Sequence, residues 1–192
     1  MKKTWLVVWL MAGMMAFGGD EAAENLLQNG GFEAGGFDGW TYFGQGWRVS
    51  DFAGESSRDM HDGKFGLLNE IAPTDADEWR GAQQVVKIKP NKAYELGAWV
   101  RVAQVGRSQS YLELQFLDKQ SNIIEQVQSV AVDSDQEFRV VNIPHAEAPK
   151  DACWASVRAV VRMLDKPAQD IGYHMFDDFV LTEVKKPAKN GR

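Results

Sequence analysis

Three stretches of this chain alternate apolar and polar residues with a period of two, and nowhere does a sustained helical stripe appear. In KAYELGAWVRV, from Lys92 to Val102, the residues Tyr94, Leu96, Ala98, Val100 and Val102 fall on one side and Glu95, Trp99 and Arg101 on the other. In SYLELQFLD, Leu112, Leu114 and Phe116 oppose Tyr111, Glu113 and Gln115; in ASVRAVVRM, Val157, Ala159, Val161 and Met163 oppose Arg158 and Arg162. Successive side chains of a strand point to opposite faces of its sheet, so each stretch reads as a strand with one buried face. Shorter strands are predicted at Trp40–Phe43, Trp47–Ser50, Phe65–Asn69, Ala82–Ile88, Ile123–Val132, Glu137–Ile143 and Gly172–Val184. Turn signals separate them: PNK at Pro90, DKQSN at Asp118, DSDQ at Asp133 and DKPAQD at Asp165. About ten strands at this spacing point to an all-β, antiparallel β-sandwich of the jelly-roll kind.

The N-terminus does not fit that pattern. Lys2 and Lys3 precede an apolar run from Trp5 to Phe17, followed by Gly18, Gly19 and the acidic Asp20 and Glu21. A membrane-spanning helix needs about 20 apolar residues, so residues 1–18 read as a secretory signal peptide cut after Ala16-Phe17-Gly18 or nearer Ala23. With no Cys near the cut, a lipoprotein anchor is not expected. A short acidic leader (19–24), one sandwich domain (25–184) and a basic, flexible tail (185–192) would follow, in a secreted, periplasmic or extracellular protein with no transmembrane segment in its mature chain.

Loss of Lys2 and Lys3 leaves 19 Lys+Arg against 27 Asp+Glu, a net charge of −8 for the mature chain. Such a chain lacks the basic face that nucleic acid requires. The single cysteine, Cys153, has no partner for an internal disulfide and reads as a small buried hydrophobe.

The folded part opens on NLLQNGGFEAGGFDGW, Asn25 to Trp40, with Glu33 set between Phe32 and a run of glycines. Together with HDGKFGL (His61 to Leu67), VKIKPNKAYELGAWVRV and FDDFVL (Phe176 to Leu181), this opening resembles the carbohydrate-binding modules of families four, nine, sixteen and twenty-two. The resemblance implies a galactose-binding-domain-like jelly roll that binds a glycan and holds a structural calcium. Carried onto this chain, the calcium ligands would be the carboxylates of Glu33 and Asp177 and the backbone carbonyls of Gly31 and Gly63. Calcium takes about 6 to 8 oxygens, and glycine lets backbone carbonyls approach closely. Asp177 is preferred over Asp178 on strand parity, which puts it on the side of Phe179 and Leu181. Otherwise Glu33 is a solvated turn residue and Asp177 a strand-edge charge. Asn91 stands in PNK where the family often has Gly, a change Asn tolerates.

Sugars are recognised by aromatic faces and by planar polar side chains. If the alternating strands are neighbours, Trp99, Arg101, Tyr111, Glu113, Gln115, Arg158 and Arg162 share one polar face that could form a glycan groove. Loop aromatics Phe43, Trp47 and Trp79, with Gln83 and Gln84, would add walls, Phe43 standing where the family often carries a sugar-stacking aromatic. The competing readings are core or plug roles for Trp99, Trp47 and Trp79, and pairing of Arg158 and Arg162 with Glu113 and Glu95 across the sheet. Trp40 reads as core.

Glycoside hydrolysis needs two carboxylates flanking the bond, about 5 to 9.5 Å apart, and no such pair is evident in sequence. His61, His145 and His174 show no metal spacing and read as surface or turn histidines; there is no nucleophile elbow and no phosphate loop. The expectation is a non-catalytic protein that binds a polysaccharide or glycan, alone or with a glycoside hydrolase or envelope protein acting in trans. The alternative is a structural or adhesive sandwich that binds protein partners and not sugar. Joint exposure of Trp99, Trp79 and Trp47 on one concave surface would separate the two.

Overall fold

A computed structural model describes residues 24–51, 60–75, 79–104, 106, 108–164 and 170–184. The expected signal peptide, the leader up to residue 23 and the tail lie outside these residues. Ten strands follow one another, β1 (Thr41–Phe43), β2 (Trp47–Asp51), β3 (Phe65–Ile71), β4 (Trp79–Lys87), β5 (Ala93–Ala103), β6 (Ser108–Leu117), β7 (Ile123–Gln128), β8 (Gln136–Glu147), β9 (Trp154–Met163) and β10 (Gly172–Val184), with no helix among the described residues. They form two five-stranded sheets, ordered β1-β4-β9-β6-β7 and β2-β3-β10-β5-β8. Every pairing between strands is antiparallel.

The alternation places the core as expected. Leu112, Leu114 and Phe116 of β6 and Val157, Ala159 and Val161 of β9 belong to one apolar cluster with Leu96, Ala98 and Val100 of β5 and Phe176 and Leu181 of β10, each 1% exposed or less. Trp40 joins them, its ring 4.9 Å from Phe179 and 5.3 Å from Phe32.

The opening segment is tied to the last strand. Asn25 donates to the Phe179 carbonyl and accepts from the Leu181 amide, at 3.0 Å each, while the Leu26 amide reaches the Leu181 carbonyl at 2.9 Å.

β4 begins at Trp79, three residues earlier than the pattern predicts, because Arg80 points inward and is fully buried. Its guanidinium meets Asp75 at 2.6 Å and the Glu70 carbonyl at 2.9 Å, so a polar-looking segment is pulled into the sheet. His174 corrects a second expectation: it is no surface histidine but fully buried, with Ser108 Oγ 2.8 Å from its Nε2. Burial, with the nearby Arg80 charge, lowers its pKa to about 3, so the ring is neutral. Cys153 is half-buried rather than buried.

Candidate functional site

The outward face of the β1-β4-β9-β6-β7 sheet carries the polar half of each alternating strand. Register sets its rows: Trp79 lies beside Arg162 and Arg162 beside Gln109; Phe43 beside Gly81, then Val160 and Tyr111; Gln83 beside Arg158, Glu113 and Gln128. A further row runs Val85, Ser156, Gln115 and Gln126. Aromatic rings gather at one end. Tyr111 meets Trp79 edge-on at 6.2 Å, the Arg162 guanidinium lies 5.0 Å from the Trp79 ring centre, and Arg158 lies 5.8 Å from that of Phe43. Trp79 is 49% exposed and Phe43 38%, large values for aromatics flanked by polar residues. Phe43 reaches this position because residue 81 is glycine: a Cβ there would sit 2.5 Å from the Phe43 ring.

Glu113 is the hub of the next row. One carboxylate oxygen accepts from Gln115 Nε2 at 2.8 Å and Arg158 Nη1 at 3.3 Å, and the other from Gln128 Nε2 at 2.8 Å. Gln115 Nε2 also donates to Gln126 Oε1 at 3.1 Å. In and beside this network, three buried polar atoms have no hydrogen-bond partner among the described residues: Tyr111 Oη, Gln83 Oε1 and Gln115 Oε1. The three lie in three different rows and are buried, so what this face offers a ligand is the exposed rings and the polar side chains around them. Tyr111 stays a donor throughout the physiological range, since burial and the Glu113 charge push its pKa up to about 12.

Residues 24–140 match the family model for the carbohydrate binding domain, CBM_4_9. The chain belongs to this family. Solved structures agree on the fold. One is the TmCBM61 module in complex with β-1,4-galactotriose, with 20% identity, TM-score 0.59 and coverage of 84% of this chain and 100% of that one. The CBM22-1 xylan-binding domain of Paenibacillus barcinonensis Xyn10C shows 20% identity and TM-score 0.57, covering 88% of this chain and 100% of that one. The enzymatically active domain of bacteriophage CBA120 tailspike protein 4 shows 15% identity and TM-score 0.64 over 83% of this chain, which spans only 21% of that chain's length. No curated protein matches the chain significantly in sequence. The protein is a carbohydrate-binding module with a jelly-roll sandwich, and such modules are non-catalytic.

Within this carbohydrate binding domain, the predicted glycan residues separate into two groups. Tyr111, Glu113, Gln115, Arg158, Gln83, Trp79 and Phe43 share the outward face just described, Trp79 from within β4 and Phe43 from the end of β1 rather than from loops. The other predicted residues are elsewhere. Trp47 is 8% exposed, packs 6.0 Å from Phe176 and donates to the Phe43 carbonyl at 3.1 Å, so it is core. Gln84 lies inward of Gln83 and exchanges two 2.8 Å bonds with the backbone of Gln28, clipping the opening segment to β4. Trp99 and Arg101 belong to β5 in the other sheet, which also removes Glu95 as a partner for Arg162. Trp99 is stacked against His61 at 3.7 Å and 10°, and Arg101 is engaged by Glu137 at 3.4 Å. The three tryptophans therefore do not share a surface; the exposed rings of this face are Trp79 and Phe43, with Tyr111 buried against Trp79. Alternation assigns faces but not neighbours, so β5 could not be excluded from this sheet by pattern alone. The parity of Arg158 and Arg162 extends back to Trp154, the first residue of β9, which the ASVRAVVRM stretch does not include.

The predicted calcium residues do gather in one place. Glu33 accepts from the Lys64 amide at 2.9 Å and the Phe65 amide at 3.0 Å, tying the glycine-rich opening to the start of β3 as well. Gly63 has φ +71° and lies against the Glu33 carboxylate so closely that no Cβ fits. Gly31 faces Asp178 and Asp177, whose Oδ1 atoms would lie 3.1 and 3.7 Å from a Cβ there. Parity fails for the aspartates: β10 has a bulge between Asp177 and Val180, with Asp178 at φ 49°. Asp177 therefore faces away from the side of Phe179 and Leu181, and Asp178 sits in the same crevice.

Asp177 is 1% exposed, and its carboxylate accepts from the amides of His61 at 3.0 Å and Asp178 at 2.8 Å. Burial and the adjacent Asp178 charge still raise its pKa to about 7. An excess of acidic oxygens in a glycine-walled crevice fits a hard cation in donor type, while no three His, Cys, Asp or Glu side chains among the described residues converge as a formed metal cage.

Proposed function

We propose that this carbohydrate-binding module is secreted and holds a polysaccharide or glycoconjugate glycan across the outward face of the β1-β4-β9-β6-β7 sheet. The observation that carries the reading is the pair of exposed rings, Trp79 and Phe43, with the Arg162 and Arg158 guanidinium groups 5.0 and 5.8 Å from their centres. The rings supply apolar faces for the C–H surface of a sugar. The guanidinium groups of Arg158 and Arg162 donate to sugar hydroxyls beside them. Glu113 does not touch the sugar first; it fixes Arg158, Gln115 and Gln128 so that the row is preorganised.

A calcium ion held by Glu33 and Asp177, with Asp178 and the carbonyls of Gly31 and Gly63 beside them, would stiffen the junction of opening loop, β3 and β10. It would neutralise the carboxylates there. Glycan capture in trans with a glycoside hydrolase or an envelope protein follows as the natural use of a domain whose face is built for holding.

The test is a glycan array on the protein, read by tryptophan fluorescence, with xylan and β-1,4-galactan included because the fold's solved neighbours carry those ligands in their names. Saturable binding that Trp79→Ala weakens and Trp99→Ala leaves intact supports the reading. Binding lost in Trp99→Ala and retained in Trp79→Ala would move the site to the other sheet.

A further inference from the structure

The outward face does not end at the polar rows. β9 begins with Trp154, which alternation places on the same face as Ser156, Arg158, Val160 and Arg162. Trp154 is 36% exposed and lies in register between Lys87 of β4 and Leu117 of β6. Val85, 49% exposed, lies two residues before Lys87 on β4, and Ile123, 54% exposed, pairs with Leu117 from β7. Arg162, beside Trp79, is eight residues along β9 from Trp154, which at strand rise puts the two aromatic ends about 26 Å apart.

What lies between them is polar: the row Gln83, Arg158 and Glu113, then Ser156 and Gln115. Past Trp154 the surface falls into an open cleft of roughly 700 Å³ lined by Lys87, Ile124, Asp118, Lys150 and Cys153 among others. Lys87 belongs both to the Trp154 row and to the lining of this cleft, so the strip continues into it.

Resting on the glycan reading above, we propose that Trp154 is a second sugar platform, and that the glycan lies along the strands from Trp79 to Trp154. A short oligosaccharide reaches one platform and the polar rows; only an extended chain of about 26 Å reaches both. The ligand class is therefore an extended, multi-unit polysaccharide stretch rather than a terminal mono- or disaccharide.

The test is isothermal titration with xylo-oligosaccharides and β-1,4-galacto-oligosaccharides from dimer to octamer, with xylan and galactan as the polymers. Affinity should climb with length until the chain spans the strip. Trp154→Ala should erase that gain, about tenfold at the long end, and leave dimer and trimer affinity unchanged. Trp154→Phe should restore most of the gain, while Trp79→Ala should weaken every length. A plateau at the trimer, with Trp154→Ala equal to wild type at all lengths, overturns the second platform and leaves the glycan reading standing. Failure of folded wild-type protein to bind any member of either series or either polymer overturns the second platform together with the reading it rests on.

Discussion

Glu113→Gln is the change that most directly probes how the binding face is held in shape. The carboxylate is 3% exposed and accepts three side-chain bonds, from Gln115, Gln128 and Arg158. An amide offers one acceptor oxygen in place of two and turns an NH2 toward a donor, so at least one bond is lost and Arg158 loses its counter-charge. A hydrogen bond to a charged group is worth about 1.5–3 kcal/mol. Breaking a fully buried ion pair costs about 3–5 kcal/mol, but the Arg158 side chain is 24% exposed and recovers some hydration. The expected loss is about 2 kcal/mol, or about 4–8 °C in Tm for a domain of this size. Urea unfolding of Glu113→Gln, Arg158→Gln and the double variant gives the coupling energy, expected at about 1–2 kcal/mol. A second readout is independent of stability: the Tyr111 pKa, raised by burial and by the Glu113 charge, should fall in the variant, as read from tyrosinate absorbance. A loss below about 0.5 kcal/mol with an unmoved Tyr111 titration would refute the view of Glu113 as the hub of this row.

Trp47→Ala should cost about 3–5 kcal/mol in urea unfolding, because the side chain is core, while the folded fraction keeps wild-type glycan affinity. A large affinity loss with little change in stability would return Trp47 to the binding surface. His174 titrates near pH 3 in the folded state against about 6.5 unfolded, so protonation favours unfolding. Its contribution is complete above pH 6.5 and is lost as pH falls toward 3, at about 1.4 kcal/mol per unit. Between pH 6.5 and 4.5, wild type should therefore lose about 2–3 kcal/mol relative to His174→Gln; parallel stability curves would contradict this. Calcium should raise Tm relative to chelator, and Asp177→Asn should abolish that difference. An equal response in wild type and variant would place any bound calcium away from this crevice.

Much of the architecture is legible in the sequence because alternation is a strong signal wherever a strand has one dry face. β5, β6 and β9 lie where their patterns put them, and Trp40 is core. The failures have specific causes. A buried arginine at position 80 hid the first residues of β4, and Trp79 with them, behind a polar-looking segment. The bulge in β10 reset the parity on which the two aspartates were distinguished. Sheet membership, which sends Trp99 to one sheet and Tyr111 to the other, depends on long-range pairing and leaves no mark in a local pattern. Alternation thus assigns a face along each regular strand, fails at the β10 bulge, and says nothing of which strands are neighbours.

The central claim is that glycan binds on the outward rows of β4, β9 and β6. Backbone amide shift mapping during titration with the tightest-binding oligosaccharide from the array tests it most directly. The largest shifts are expected at Gly81, Gln83, Arg158, Val160, Tyr111 and Gln115, with β5 and β8 quiet. Shifts concentrated around Trp99, His61 and Phe138 would contradict it and move the binding surface to the opposite sheet.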